Sequence, residues 1–306
     1  MWIRSSGALT ESVYQLTTVV STHFLIVDDQ AAIVDTSIAA VHDRLSDEIK
    51  AFLGEGGYVD YILLTHAHFD HVGGVPLLRA WSPRAKLICG PHTAELLSQR
   101  DLLTSFYEKN KVYAEGMKQP FDMPLDTWCA SFKVDRIMGD GDTLSLGDDV
   151  EVKLINCPGH TDDCVAYFVK PDAALACGET IGSYGGREKI ASCFCSDYAS
   201  YIESLIRLSG LDVRVLGFPH SGALSGDLVA KFFMAARQNT ENFCTSVQQR
   251  VDQGELLDEI AMSLLPEWQS QNISPEGPFA EEQRETLRAM VRAAAAAGKA
   301  GAAESE

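Results

Sequence analysis

Three imidazoles and one carboxylate fall within the six residues His66-Ala67-His68-Phe69-Asp70-His71, in a chain with only eight histidines. The run follows Tyr61 to Leu64, a short apolar stretch with strand character, and precedes Gly73 and Gly74. Alternate side chains of an extended segment point the same way, so His66 and His68 can reach one ion. Asp70 and His71 come after the chain has turned and can face a second ion beside the first. Neutral imidazole and carboxylate are donors that divalent transition metals prefer. A polar surface loop is the alternative, but so steep a concentration of His and Asp marks a metal site. Any fold this chain adopts must bring that strand end to a place where further donors converge.

Three segments can supply them. Cys157-Pro158-Gly159-His160-Thr161 places a histidine in a turn after the run Val150 to Ile155, and Phe218-Pro219-His220-Ser221-Gly222 does the same after Val213 to Phe218. Between them, Ala176-Cys177-Gly178-Glu179 puts a carboxylate at a strand end. All three fall at strand termini, where loops converge on a rigid scaffold. A capped turn histidine is the alternative at His160 and at His220. Cys177 lies in an apolar strand context and reads as core.

The remaining sequence frames this cluster. At 306 residues the chain allows one large domain or two small ones, and 46% hydrophobic with 22% charged residues is the composition of a folded globular protein. A net charge of −18 repels phosphate backbones, so no nucleic-acid partner is expected. No apolar run reaches the ~18 residues of a membrane span, and Met1 to Thr10 lacks a basic stretch followed by an apolar one, so no membrane association and a cytoplasmic location are expected. Eight cysteines form no CxxC pair and are too sparse for a disulfide scaffold. Cys193 and Cys195 flank Phe194 and could hold a soft metal or oxidise. No GxGxxG or GxxxxGK[ST] sequence and no fixed-period repeat occurs.

Short apolar runs at Tyr14 to Val20, His23 to Val27 and Ala31 to Val34 predict adjacent strands. The spacing of Ile38, Val41, Leu45, Ile49 and Leu53 predicts a helix over 37–53, closed by Gly54. Residues 91–128 read as a helical insertion with Leu96, Leu97, Leu102, Leu103, Phe106 and Tyr107 as its stripe. Strand patterns return at Phe132 to Ile137, Thr143 to Leu146, Val150 to Ile155, Cys164 to Val169 and Ala173 to Cys177. A helix follows over Asp197 to Leu208 and a strand over Val213 to Phe218, with helix-forming sequence beyond. The alanine-rich end with Gly298 and Gly301 reads as frayed, leaving 297–306 as a flexible tail. Two β-rich halves with their own helices predict a two-sheet sandwich flanked by helices rather than a doubly wound sheet.

In the order of these motifs the sequence resembles the metallo-β-lactamase-fold hydrolases, a family with an HxHxDH motif, a histidine in a PGHT-like turn, a strand-end carboxylate and a final histidine. The resemblance covers roughly residues 10 to 225. It implies an α/β (α+β) fold, a four-layer αββα sandwich over 1–225, with a helical C-terminal extension over 226–296 that covers the site. It also implies two divalent metal ions, Zn, Fe or Mn. His66, His68 and His160 would hold one, Asp70, His71 and His220 the other, and the strand-end carboxylate would bridge them. That carboxylate is usually aspartate in the family and is Glu179 here, whose extra methylene leaves open whether one ion or two bind. Asp35, at the end of Ala31-Ala32-Ile33-Val34-Asp35-Thr36, corresponds to a structural support. Within the family the chain is similar to the branch of 2-aminobenzoylacetyl-coenzyme A thioesterases of alkylquinolone synthesis, on Cys177-Gly178-Glu179, Tyr201-Ile202-Glu203-Ser204-Leu205 and the helical extension. Flavodiiron oxidoreductases, with glutamate where this chain has His68, and secreted β-lactamases fit less well.

The expected chemistry is attack of a metal-bound hydroxide on an acyl carbon of a small thioester or ester, with Asp70 as the catalytic group that orients the water and passes its proton to the leaving group. The insertion and the C-terminal helices would form an apolar lid. Phe106 and Phe194 are candidate substrate contacts, with Trp128 and Phe233 beside them, and plain core packing is the favoured alternative for each aromatic. Two other functions compete, a regulatory or partner-binding protein that retains the site and a phosphodiesterase of the same fold, the latter opposed by the acidic charge. The partner expected is a small acyl substrate, and a homodimer is left open.

Overall fold

The computed structural model describes residues 1–186, 189–271 and 280–303. Among these, two seven-stranded sheets lie face to face. The first runs Gly7–Ala8, Val13–Thr17, Thr22–Val27, Ala31–Val34, Tyr61–Leu63, Lys86–Cys89 and Arg136–Ile137 in spatial order. The second runs Trp2–Ile3, Gly222–Ser225, Val215–Phe218, Ala174–Ala176, Val165–Lys170, Glu151–Asn156 and Thr143–Ser145. The N-terminal strand thus closes the edge of the sheet formed by the second half.

Three apolar clusters define four layers. Phe24, Ile26, Val34 and Leu63 of the first sheet meet Val152, Leu154, Tyr167 and Val215 of the second between the sheets. The first sheet's outer face packs on the helices His42–Leu53, Val75–Trp81, Arg100–Gly116 and Leu125–Ser131 through residues such as Ile33, Leu45, Ile62 and Trp128. The second sheet's outer face packs on Tyr198–Ser209, Asp227–Asp252, Leu257–Gln271 and Ala280–Ala303 through Leu175, Leu216, Phe232 and Val291. Central strands covered on both faces must be apolar throughout, and Ala31–Val34 is buried at every position. Each fully buried Leu, Ile or Phe in these layers contributes roughly 1.5–3 kcal/mol. The result is the αββα sandwich that the two β-rich halves predict. No helix among the described residues is long and apolar enough to cross a membrane.

Several boundaries depart from the sequence reading. The strand expected over Tyr14 to Val20 is Val13–Thr17, and the helix expected from Ser37 starts at His42 after a 3-10 turn, Ala39–Val41. Asp35 and Ser37 take left-handed backbone angles, φ 56° and 62°, which turn the chain out of its strand before helix can begin. Only Arg136–Ile137 of the expected run Phe132 to Ile137 is strand, because Phe132 is buried among the helices. The expected flexible tail is helix as far as Ala303, and 304–306 lie outside the described residues. Leu287, Met290, Val291 and Ala294 anchor that helix against the second sheet's outer layer, which outweighs the ~1 kcal/mol cost of each interior glycine.

Candidate metal centre

The strands Tyr61–Leu63, Glu151–Asn156, Ala174–Ala176 and Val215–Phe218 deliver their following loops to one edge of the sandwich. His66 leaves the first of these, His68 caps the one-turn helix Phe69–Val72, and Asp70 and His71 lie on it. Gly159, at φ 130°, lies so close to the Tyr201 backbone that a Cβ there would overlap it, and this approach aims His160 inward. A Cβ at Gly178 would lie only 3.0–3.2 Å from Thr65 and His66, so glycine there lets the backbone leading into Glu179 run close against the motif loop.

The carboxylate of Glu179 is the meeting point. Its Oε2 lies 2.8 Å from His160 Nε2, 3.6 Å from His66 Nε2, 3.8 Å from His68 Nδ1 and 3.6 Å from His71 Nε2. Its Oε1 lies 3.5 Å from His220 Nε2, which is itself 3.6 Å from Asp70 Oδ2. Two donor sets result, His66, His68, His160 and Glu179 in one and Asp70, His71 and His220 in the other, each within 4.8 Å mutually. All seven residues singled out in the sequence therefore converge.

For four of the five rings, those of His66, His71, His160 and His220, the far side fixes the orientation. His71 Nδ1 donates to Asp35 at 2.8 Å, His160 Nδ1 to the Cys193 carbonyl at 2.8 Å and His220 Nδ1 to the Val20 carbonyl at 3.0 Å. Thr65 Oγ1 donates to Asp35 at 2.7 Å and sits 3.0 Å from His66 Nδ1. Holding the proton on Nδ1 leaves the Nε2 lone pair facing the centre, the outer-shell arrangement typical of metal-bound histidine. Asp163, a residue the sequence reading missed, accepts from the Ala67 amide at 2.7 Å and from Thr93 and Thr161, tying the motif loop to the His160 turn. Nothing in its sequence context but the nearness of His160 marks it.

A cation fits this arrangement. His66 Nε2 and His71 Nε2 are buried and without hydrogen-bond partners, a state that costs roughly 1–3 kcal/mol each unless something accepts the lone pair. Burial, reinforced by the neighbouring His71 and His68, pushes His66 well below the usual imidazole range. Burial opposes ionisation of Glu179, yet His160, His66 and His68 together hold its carboxyl well below the usual carboxylate range. Burial also pulls down His71, but Asp35 and Asp70 outweigh it and hold the ring above its ordinary value. The centre is thus an anionic, imidazole-rich cluster in which bound cations would displace protons.

The cluster opens into a cavity of about 560 Å³. His68, Asp70, Glu179 and His220 form its floor, Cys193 and Cys195 part of its wall, and Trp268, Glu282, Thr286 and Ala289 its roof. A second cavity of about 520 Å³ lies behind His68, His160 and Cys195, lined by His92, Glu95, Leu96 and Leu102 of the insertion. Phe106 and Phe194, candidate substrate contacts by sequence, line neither. Phe106 packs in the core with Trp128 and Tyr113, and Phe194 against Tyr198, Tyr201 and Phe243. Phe233 and Trp128 are core residues likewise.

The sequence profile of the metallo-beta-lactamase superfamily matches residues 16–220, more than half of the chain. The chain belongs to that superfamily. Among curated members it is similar to the hydroxyacylglutathione hydrolase of Francisella tularensis subsp. novicida, 27% identical over 202 residues, 65% of this chain and 64% of that protein. The chain thus spans somewhat less than two thirds of that relative's length. It is also similar to the metallo-beta-lactamase fold-containing protein ST1585 of Sulfurisphaera tokodaii, 29% identical over 211 residues, 66% of this chain and 74% of that one. Of solved superfamily structures, TTHA1429 from Thermus thermophilus superposes with a TM-score of 0.64 at 16% identity, covering 94% of this chain and 93% of its own. At that identity the likeness establishes the fold alone.

Proposed function

We propose that the chain is a binuclear metal-dependent hydrolase acting on the acyl carbon of a small thioester or ester. The observation that carries this reading is the convergence of His66, His68, Asp70, His71, His160 and His220 on Glu179 at the floor of a cavity large enough for a small acyl group. Two divalent cations there would lower the pKa of a bound water toward about 7 and polarise a carbonyl. His66, His68 and His160 would hold one, Asp70, His71 and His220 the other, with Glu179 between them. Asp70, half-buried at the cavity floor, can orient the attacking water and carry its proton to the departing thiol or alcohol. The enclosing helices keep bulk water from the acyl carbon, which strengthens each charge interaction on it.

The finer reading is thioester hydrolysis, in the manner of the 2-aminobenzoylacetyl-coenzyme A thioesterase branch. The likeness to a hydroxyacylglutathione hydrolase supports it, since an acylglutathione is itself a thioester. Metal analysis of purified protein, combined with panels of acyl thioesters, esters, lactones and phosphodiesters, tests the proposal. Thioester turnover that chelation abolishes and metal restores is the expected result. A metal-loaded protein that cleaves only phosphodiesters, or nothing in the panels, overturns it.

A further inference from the structure

We propose that Cys193 and Cys195 are a reversible modification site, a dithiol in the cavity wall that peroxide closes to a disulfide and a dithiol reductant reopens. Both are free, half-buried and exposed to the main cavity. The two sulfurs and a ring nitrogen of His160 all lie within 4.8 Å of one another, and the Cys195 sulfur is 3.8 Å from His160 Nδ1. Phe194, fully buried against Tyr198, Tyr201 and Phe243, pins the residue between them. The sulfurs, already within 4.8 Å of each other on residues that flank Phe194, have only to close to the ~2.05 Å of an S–S bond. Of the other six cysteines, five are buried and Cys129 is half-buried on the helix Leu125–Ser131.

The chemistry balances with hydrogen peroxide as oxidant. One thiol sulfur attacks a peroxide oxygen, the O–O bond breaks, and one water leaves with formation of an S–OH group. The second thiol attacks that sulfur, the S–O bond breaks, and a second water leaves as the S–S bond forms. Two electrons and two protons pass from the thiols to the peroxide.

Closure should be felt at the metal centre, a consequence that rests on the reading of His160 as a ligand. Cys193 supplies the carbonyl that holds His160 Nδ1 at 2.8 Å, the Cys195 amide donates to the His160 carbonyl at 3.2 Å, and the Ser196 amide to the Gly159 carbonyl at 3.2 Å. Drawing the sulfurs to bonding distance displaces the backbone that aims this ring. Disturbing such outer-shell support typically weakens metal affinity about 10–100-fold.

The test treats the metal-loaded full chain with hydrogen peroxide, alkylates free thiols, and measures both the mass of tryptic peptide 190–207 and the rate of metal release to a chelator. The expected result is loss of two hydrogens from that peptide, at least about tenfold faster release, and reversal of both by dithiothreitol. Cys193→Ser and Cys195→Ser should each abolish the mass change and show the same release rate before and after peroxide. Two thiols that stay alkylatable, or sulfurs that oxidise separately to sulfinic acids, overturn the dithiol. A disulfide with unchanged release overturns its coupling to His160. Because the disulfide is read by mass alone, a chain that bound no metal would sink the function proposed above and still show whether the two thiols close.

Discussion

His66, His68, His71, His160 and His220, at or just beneath the cavity floor, each sit in the segment that follows a strand, whereas Trp268, Glu282, Thr286 and Ala289 face the floor from two helices that share no motif with it. The floor is positioned by hydrogen bonds from one loop to the next, through Asp35, Asp163 and the carbonyls of Val20 and Cys193. The roof is positioned by packing, as Leu287, Met290 and Val291 bury the inner face of the last helix. Changing a floor residue therefore breaks a network. Changing a roof residue reshapes a wall. If the proposed hydrolysis holds, this contrast makes the floor set which bond is broken and the roof set which acyl group is admitted.

The largest expected effect is at Glu179. Its two oxygens face all five floor histidines, so Glu179→Ala should lose at least one metal ion per chain and reduce turnover by about 10²-fold or more, the scale of removing one group that stabilises developing charge. Glu179→Asp should retain two ions. Metal content per chain and kcat on one thioester decide the matter, and an alanine variant with unchanged metal content would show that the floor does not depend on its central carboxylate.

A smaller effect should distinguish floor from roof by pH. His23 lies fully buried beneath the floor, 2.7 Å from Ser21 Oγ, which donates to the cavity-lining Ser37. Burial pushes its pKa from 6.5 down to about 4. The unfolded chain takes up this proton near pH 6.5 and the folded chain only near 4, so the unfolded state binds more protons through that window and stability falls as pH falls. The full contribution is present above pH 6.5, and at about 1.4 kcal/mol per pH unit roughly 2 kcal/mol is gone by pH 5. Unfolding free energies of the metal-free chain, from urea titrations at pH 7 and pH 5, should differ by about that much more in the native sequence than in His23→Gln. Equal pH dependence would mean that His23 does not titrate with folding.

The same contrast explains what the sequence made legible. Every floor donor lies in a short segment where residue type and strand end are local facts, so the constellation was readable before any coordinates. The turn at Asp35 and Ser37 was not, because its left-handed angles are imposed by bonds from Asp35 to Thr65 and His71, far along the chain. Phe106 shares its helix with Leu102 and Leu103, and an apolar stripe shows that a face is buried without showing against what. It meets Trp128 and Tyr113 in the core rather than the cavity. One of the real roof residues on the last helix, Ala289, is one alanine in an alanine-rich stretch and has no chemical mark at all.

That anonymity makes Ala289 the place to sharpen the comparison. It is half-buried, it faces the cavity, and its neighbours Leu287 and Met290 carry the helix's anchoring to the core. Ala289→Phe projects a ring into the space above the floor and leaves that anchoring intact, so stability should change by less than about 0.5 kcal/mol. The ring removes volume that a long or branched acyl chain needs and that an acetyl-sized one does not. KM for the bulkier thioesters should rise about tenfold, near 1.4 kcal/mol of lost binding, while kcat for the smallest acyl group and the metal content stay as they are. If instead kcat falls alike for every acyl length, the roof takes part in the chemistry, and the division between a reactive floor and a selective roof fails.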